Sequence, residues 1–377
     1  MENTHIKLYP ILLPFALLYR VVIWIRNLFF DLQLFPSQQY EIPVICVGNL
    51  AVGGTGKTPH VEYLVQILCD KYRIAVLSRG YKRKTTGYIL ADKNSTASDI
   101  GDEAYQIKYK YPQVIVAVDK NRQRAMRHLL AMQEDVRPQI VVLDDGFQYR
   151  YLQPSFSILI TDYNRLFYKD RLLPAGRLRE PKKSVSRTDM IVVSKCPEDL
   201  KQIDCRIIEN EMKPAFHQSL HFTGIKYQQL RCVFPEECKP YRLENIKKED
   251  EIVLITGIAY PALLIEEIKK YSDNVMAFSF RDHHEFSKND MDKIRAKLSK
   301  KTNKCPPLIV FTEKDAARIR HNPYFPDEWK THCYYLPIQV YFLFNRHNQF
   351  EEIIMKHITL MESSRELKKS LDIRSFL

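Results

Sequence analysis

The chain has 377 residues, 45% of them hydrophobic and 27% charged, which is long enough for two separate cores and too apolar for a disordered chain. Its 57 Lys and Arg against 45 Asp and Glu leave a formal charge of +12, which suits an anionic partner: nucleic acid, an acidic bilayer surface or a phosphorylated substrate. Nucleic acid loses ground because no zinc-finger spacing, aromatic RNP-type strand or basic helical arm occurs, and the eight cysteines, without a C-x-x-C pair, read as reduced cytoplasmic thiols rather than a metal or redox centre.

The N-terminal segment, Lys7 to Phe35, is the most apolar part of the chain, interrupted by Arg20 and Arg26. A spanning helix needs ~20 mostly apolar residues, and the uninterrupted runs here are shorter. No small-residue cleavage site follows, so a signal peptide is not indicated. On a helical wheel Arg20, Asn27 and Asp31 share one side, while Leu17, Val21, Trp24, Ile25 and Leu28 cover much of the rest. This pattern predicts an interfacial membrane helix, with a buried helix packed on the catalytic domain as the alternative.

Val44 to Thr58 reads V-I-C-V-G-N-L-A-V-G-G-T-G-K-T, a short buried strand running into a glycine-rich, lysine-ended loop. Around an anion, Gly53, Gly54, Thr55 and Gly56 turn backbone N–H groups inward, Lys57 reaches the outer phosphates, and Thr58 offers a hydroxyl to Mg²⁺. Pro59 fits the first turn of a helix. The strict motif wants glycine where Ala51 stands, so the loop is a P-loop variant.

From Glu41 onward strand and helix patterns alternate, which predicts an α/β fold with a P-loop NTPase-like parallel sheet. The strands are expected at Val44 to Val47, Ile74 to Leu77, Val114 to Val118, Ile140 to Leu143, Ser157 to Thr161 and Met190 to Val193, β-branched runs suited to burial on both faces. The charged, weakly periodic stretch Lys201 to Asp250 reads as the region of the inter-domain connection. A second, smaller α/β unit follows, with strands at Ile252 to Ile255, Val275 to Phe280 and Leu308 to Phe311 and helices at Pro261 to Tyr271, Asp290 to Leu298 and Phe350 to Met361. Ser364 to Leu377 reads as a polar tail. The expected division is 1–35 for the membrane-associated helix, 36–225 for the P-loop domain, 226–250 for the connection and 251–377 for the C-terminal domain that closes the cleft.

Several strand ends carry chemistry. Val141 to Gln148, V-V-L-D-D-G-F-Q, ends an apolar strand in Asp144 and Asp145, the arrangement that holds Mg²⁺ opposite a P-loop, and Gln148 can orient a hydroxyl or water. Arg79 follows the second strand and Arg122 the third, placing guanidinium groups where ligands of α/β folds gather. Gly101-Asp102-Glu103 offers a carboxylate pair, and Arg281-Asp282-His283-His284 offers histidines at a strand end of the second unit. Phosphorylating a hydroxyl needs charge neutralisation and a base for the alcohol proton, which Asp102 with His283 can supply. From spacing alone, nothing brings the two together without a closed cleft. Leu173 to Pro181 is a turn-rich loop whose Arg177, Arg179 and Glu180 can clamp phosphate or complete a metal shell. Thr312-Glu313-Lys314-Asp315 has the wrong spacing for a guanine-reading N-K-x-D, which argues against GTP.

Taken together, V-G-N at 47–49, G-G-T-G-K-T-P at 53–59, S-R-G-Y at 78–81, G-D-E at 101–103, L-D-D-G-F-Q at 143–148, G-R-L-R-E-P at 176–181, D-H-H at 282–284 and T-E-K-D-A at 312–316 closely resemble the tetraacyldisaccharide 4′-kinase family of the lipid A pathway. The resemblance implies ATP- and Mg²⁺-dependent phosphorylation of the 4′-hydroxyl of a tetraacylated glucosamine disaccharide 1-phosphate, giving lipid IVA at the cytoplasmic face of the bacterial inner membrane. It implies that Lys57 and Thr58 serve ATP and Mg²⁺, that Asp102 is a base paired with His283, and that Asp144, Asp145 and Glu180 surround the metal. Glu103 and Gln148 support the site, while Arg79, Arg122 and Arg179 contact phosphate or substrate. The partners implied are the lipid and a membrane surface, with no required protein partner. The rival class is a membrane-associated P-loop ATPase acting as a switch, whose loop carries lysine where this chain has Val52.

Overall fold

The computed structural model describes residues 9–258, 261–298 and 306–375. Strands β1 (Val44–Gly48), β2 (Ile74–Ser78), β3 (Ile89–Leu90), β4 (Ile115–Val118), β5 (Ile140–Asp144), β6 (Phe156–Asp162), β7 (Met190–Ser194) and β8 (Ser219–Tyr227) occupy the first part of the chain. Helix α1 (Leu13–Asp31) precedes them, and α2 (Lys57–Leu68), α3 (Ala97–Ile100), α4 (Asp102–Lys110), α5 (Arg122–Leu130) and α6 (Gln202–Met212) alternate with them. Every residue of β1, β2, β5 and β7 is buried, as expected of β-branched strands covered by helices on both faces. Alternate side chains enter two core layers: Ile45, Val76 and Val142 meet Val61, Leu64 and Leu68 of α2, whereas Cys46, Leu77 and Leu143 meet Met126 and Leu129 of α5. Each such fully buried aliphatic side chain contributes roughly 1.5–3 kcal/mol.

A second sheet follows, made of β9 (Arg231–Cys232), β10 (Glu251–Thr256), β11 (Asn274–Ser279), β12 (Leu308–Thr312) and β13 (Cys333–Leu336) in the order β11-β10-β12-β13-β9. Its helices are α7 (Ala262–Lys269), α8 (Lys288–Leu298), α9 (Glu313–Ile319) and α10 (Asp327–Lys330). The chain then returns. β14 (Ile338–Phe342) pairs antiparallel with β8, and α11 (His347–Ser375) packs Phe350, Ile354 and Ile358 into the core of the first sheet. The larger sheet therefore has nine strands, ordered β14-β8-β7-β6-β1-β5-β2-β4-β3.

The α/β class and the apolar N-terminal helix agree with the sequence reading. Three boundaries differ. β14 and α11, expected with the C-terminal unit, belong to the larger sheet because their apolar faces fit α2 and β8. The expected connection at 226–250 contributes β9 and the buried Leu230, Cys238, Leu243 and Ile246 to the smaller unit's core. The expected polar tail continues as α11 as far as Ser375. Cys305 lies outside the described residues, and the other seven cysteines are free thiols.

Helix α1 and the turn before it, Pro10–Asp31, are long and apolar enough to cross a membrane by length and composition. Leu17, Leu18, Val21, Val22 and Trp24 are each at least half exposed, and only Ala16 and Phe30 are buried, which rules out a core helix. The polar side docks on the protein. Tyr19 donates to the Arg179 carbonyl at 2.9 Å, Arg26 donates to the Gln148 carbonyl, and Arg150 pairs with Asp31 at 2.7 Å. Arg20, placed by the wheel with Asn27 and Asp31, is exposed instead.

Candidate active site

The carboxyl ends of β1, β2, β5 and β7 converge where an open α/β sheet gathers ligands. β1 lies between β5 and β6, with Val47 opposite Asp144 in the β5 register, so the loop leaving β1 runs beside the end of β5. Gly56, with φ +90°, caps α2, and a side chain there would be strained whatever the space around it. The loop is fastened from behind. Lys195 donates to the Gly54 carbonyl, Ser194 Oγ to the Thr55 carbonyl at 2.6 Å, and His60 Nδ1 to the Gly56 carbonyl at 2.7 Å. Asn49 Nδ2 holds the Thr55 hydroxyl at 2.9 Å. Three successive carbonyls are thereby tied to the protein, and the Thr55 N–H closes on the Gly53 carbonyl at 3.0 Å, a tight glycine-rich turn of the kind that cradles an anion. Burial pushes the His60 imidazole down to about 4, so it is a neutral donor here, and its Nε2 accepts from the Thr223 hydroxyl at 3.0 Å.

Lys57 Nζ lies 3.6 Å from Asp145 Oδ1. Asp145 has φ +51°, an uncommon backbone state for a non-glycine residue, and Arg179 grips both its oxygens at 2.8 and 3.1 Å. Burial works against its charge, but Lys57, Arg179 and Arg122 outweigh it and hold this carboxyl well below the usual range. Asp144 is the opposite case. Burial first and then the nearby Glu103 charge push it up to about 7, against the pull of Lys57. Its Oδ1 is buried without a hydrogen-bond partner. An orphaned carboxylate oxygen beside a second carboxylate is a donor chemistry that fits a hard divalent cation such as Mg²⁺.

The other expected residues fall into three groups. Arg122, nearly fully buried at the start of α5, sits 5.1 Å over the Tyr149 ring, with its Nε unpartnered and Asp145 as its strongest charge neighbour. Gln148 donates to the Asn49 carbonyl at 2.6 Å, and Arg79 is exposed at the end of β2. Glu180 is fully buried, pairs with Arg187 and, at 3.6 Å, with Arg26 of α1, and its Oε1 has no hydrogen-bond partner.

Asp102 opens α4 after Gly101, whose φ of +90° disfavours any side chain and where a Cβ would sit only 3.0 Å from the Tyr81 carbonyl. From the smaller unit, His283 Nδ1 reaches Asp102 Oδ2 at 2.8 Å. His283 has φ +58°, held by its N–H on the Gly257 carbonyl at 3.1 Å. Because Asp102 accepts, Nδ1 carries the proton, and Nε2 accepts from Lys314 Nζ at 3.2 Å. His284 turns elsewhere, stacking on Phe280 and reaching Asp290 at 2.9 Å. Burial opposes ionisation of Asp102, but His283 and Arg318 bring it down to about 2. Lys314 also pairs with Glu103 at 2.7 Å. Asp102, Glu103 and His283 group their ligand atoms closely enough for a metal, but Lys314 and Arg318 already supply the positive charge.

Sequence reasoning did not find Lys314, Asp315 or Arg318 as site residues. The available signal was T-E-K-D itself, since Lys314 and Arg318 stand four apart and so share a helical face with a charge at each end. His60, Ser194 and Lys195, which shape the P-loop from behind, left no motif at all.

This geometry has counterparts. Residues 8–359 match the family model described as tetraacyldisaccharide-1-P 4′-kinase. The chain is 49% identical over 358 residues to the tetraacyldisaccharide 4′-kinase of Parabacteroides distasonis, covering 95% of this chain and 97% of that protein. It is 44% identical to the enzyme of the same name from Bacteroides thetaiotaomicron, over 95% of each. Among solved structures, LpxK from Aquifex aeolicus in complex with ATP superposes with a TM-score of 0.70 at 27% identity, covering 92% of this chain and 98% of that one.

Proposed function

The chain belongs to the tetraacyldisaccharide-1-phosphate 4′-kinase family, and from that premise we propose how its residues divide the work. It is an ATP-dependent kinase of lipid A biosynthesis that phosphorylates the 4′-hydroxyl of a tetraacyldisaccharide 1-phosphate to give lipid IVA. In our reading the N–H groups of Gly53 to Thr58 cradle the ATP phosphates, and Lys57 neutralises the transferring γ-phosphoryl. Thr58, Asp144 and Asp145 would hold the Mg²⁺ that accompanies ATP, a divalent charge that screens the phosphate oxygens. Asp102, steadied by His283, accepts the proton of the 4′-hydroxyl. Arg79 and Arg122 contact phosphate or substrate, while Arg179 and Gln148 shape the carboxylate side of the pocket.

The observation that carries this reading is Asp144, whose buried Oδ1 has no hydrogen-bond partner and whose charged neighbours include both the P-loop Lys57 and Glu103 beside the Asp102 pair. This supports a nucleotide end and an acceptor end facing one cleft. Purified protein in detergent, given ATP and the lipid disaccharide, is expected to place phosphate on the lipid; ATP hydrolysis without phosphorylated lipid would overturn the assignment.

We further propose that α1 lies in the bilayer at the cytoplasmic face of the inner membrane, its exposed apolar side among acyl chains and its polar side on the catalytic loops. Each large apolar side chain so covered contributes roughly 1.5–3 kcal/mol. Replacing Leu17, Val21 and Trp24 together by serine should release the protein from anionic vesicles while leaving turnover on detergent-dispersed lipid within a few-fold. Unchanged partitioning would reject the membrane role.

A further inference from the structure

The contacts on Asp102 are lopsided. His283 Nδ1 at 2.8 Å, Arg318 Nη2 at 2.6 Å and Arg318 Nε at 3.0 Å all converge on Oδ2. Among the described residues no hydrogen-bond donor reaches Oδ1, and Oδ1 is not among the buried orphan atoms, so it borders open space. The guanidinium is itself preset. Asp315, fully buried, accepts from the Thr312 hydroxyl at 2.6 Å, from the Gly257 N–H at 2.9 Å and from Arg318 Nη1 at 2.8 Å. One edge of Arg318 is thus fixed to its own helix, while Nε and Nη2 reach across to Asp102 Oδ2, Nη2 lying also 3.3 Å from His283 Nδ1.

From this we propose that Arg318, oriented by Asp315, is a positioning residue for the phosphorylation, fixing Asp102 so that Oδ1 is the atom that receives the substrate proton. The inference rests on the reading of Asp102 as the base. The 4′-hydroxyl oxygen forms its bond to the γ-phosphorus as the bond to the β–γ bridging oxygen breaks. ADP leaves with that electron pair, and the hydroxyl proton passes to Oδ1. A carboxylate with both oxygens engaged would have to break a charge-assisted hydrogen bond first, and one with neither engaged would rotate among poses. A strong base is not required, because a loose phosphoryl-transfer transition state asks for positioning before proton removal. Arg318 thereby ties the smaller unit's docking to the acceptor half of the reaction: helix α9 delivers both the guanidinium and Lys314, and its arrival completes the base.

The test compares Arg318→Ala, Arg318→Lys and Arg320→Ala in the full-length protein, alongside Asp102→Asn. Arg320, the C-cap of the same helix, is the control; its guanidinium lies over Tyr109 and Tyr335 at the same interface and makes no contact with Asp102. Arg318→Ala should lower kcat on the order of a hundredfold with the KM for ATP unchanged, Arg318→Lys should recover part of it, and millimolar guanidinium should restore turnover to the alanine variant. Arg320→Ala should stay within a few-fold of the parent. If Arg318→Ala keeps its activity, or if its loss is matched by Arg320→Ala and ignores both lysine and guanidinium, the inference is overturned. An inactive Asp102→Asn beside an active Arg318→Ala defeats the positioning role alone, whereas an active Asp102→Asn defeats the reading of the base beneath it.

Discussion

The nucleotide end and the acceptor end of the cleft are built by opposite means. Between Asn49 and His60 the phosphate cradle is one continuous stretch, and its shape is set from behind by the larger sheet and its flanking elements through Ser194, Lys195 and Thr223. The Asp102 pair joins residues 181 apart in sequence, and Arg318 reaches across 216, each time from the smaller unit to the larger. The first exists once one sheet has folded. The second exists only while two units are docked, so it is the natural place for the molecule to make catalysis conditional.

The largest expected effect lies in the cradle. Lys57→Ala should lower turnover on the order of a thousandfold or more by removing the charge on the transferring phosphate, and near-parental activity would show that the loop does not hold ATP as proposed. At the docked end, Asp102→Asn and His283→Ala should each cost on the order of a hundredfold, and the double variant little more than either, because the two act as one unit. Fully additive losses would separate them. Thermal stabilisation by ATP with Mg²⁺ should survive in both docked-end variants and be lost in Lys57→Ala, which sharpens the contrast by binding rather than by rate.

The smallest effect is on stability, and it distinguishes the two ends by pH. Unfolded His60 takes a proton near its ordinary 6.5, whereas the folded protein resists until about 4, so its contribution is full above 6.5 and is lost as the pH falls towards 4. Buried His221 behaves alike and adds to the same slope. Asp102, depressed from 3.8 to about 2, keeps its contribution until the pH falls below 3.8. Between pH 6.5 and 4 the histidines therefore contribute a loss of stability as the pH falls, on the order of 2 kcal/mol for His60, opposed over the same range by the buried carboxyls Asp144 and Glu62, whose raised folded values add stability. His60→Gln should remove its share of the histidine slope, and an unchanged slope would mean that His60 is not held neutral in the fold.

What was legible in the chain follows the same divide. β1, β2, β5 and β7 are continuous runs of buried apolar residues and were placed to within a residue at each end, and the cradle announced itself through local glycines and Gly-Lys-Thr. β8 was read as linker because S-L-H-F-T-G-I-K-Y mixes a histidine, a glycine and a lysine into a strand that lies beside the edge strand β14. The pairing of Asp102 was beyond local patterns, since no spacing rule relates positions two hundred residues apart; the strand end offered His283 as a candidate, and the resemblance joined it to Asp102. Arg318 carried a usable signal, three residues after Asp315 and one turn beyond Lys314, but its meaning depends on what faces the helix.

One feature of the topology bears on how the parts come to meet. Tyr227 at the end of β8 pairs with Ile338 at the start of β14, and the Gln228 N–H reaches the Pro337 carbonyl at 2.9 Å, so the whole smaller unit is strung between the two legs of a single hairpin stem. Chain entry and chain exit are neighbours, as on a door hung from one post. A body suspended in that way can swing without threading or tearing the sheet that carries it, and it can fold late without holding up its host. Excising it and rejoining the stem with a short turn would leave Asp102 in place but strip away His283, Lys314 and Arg318.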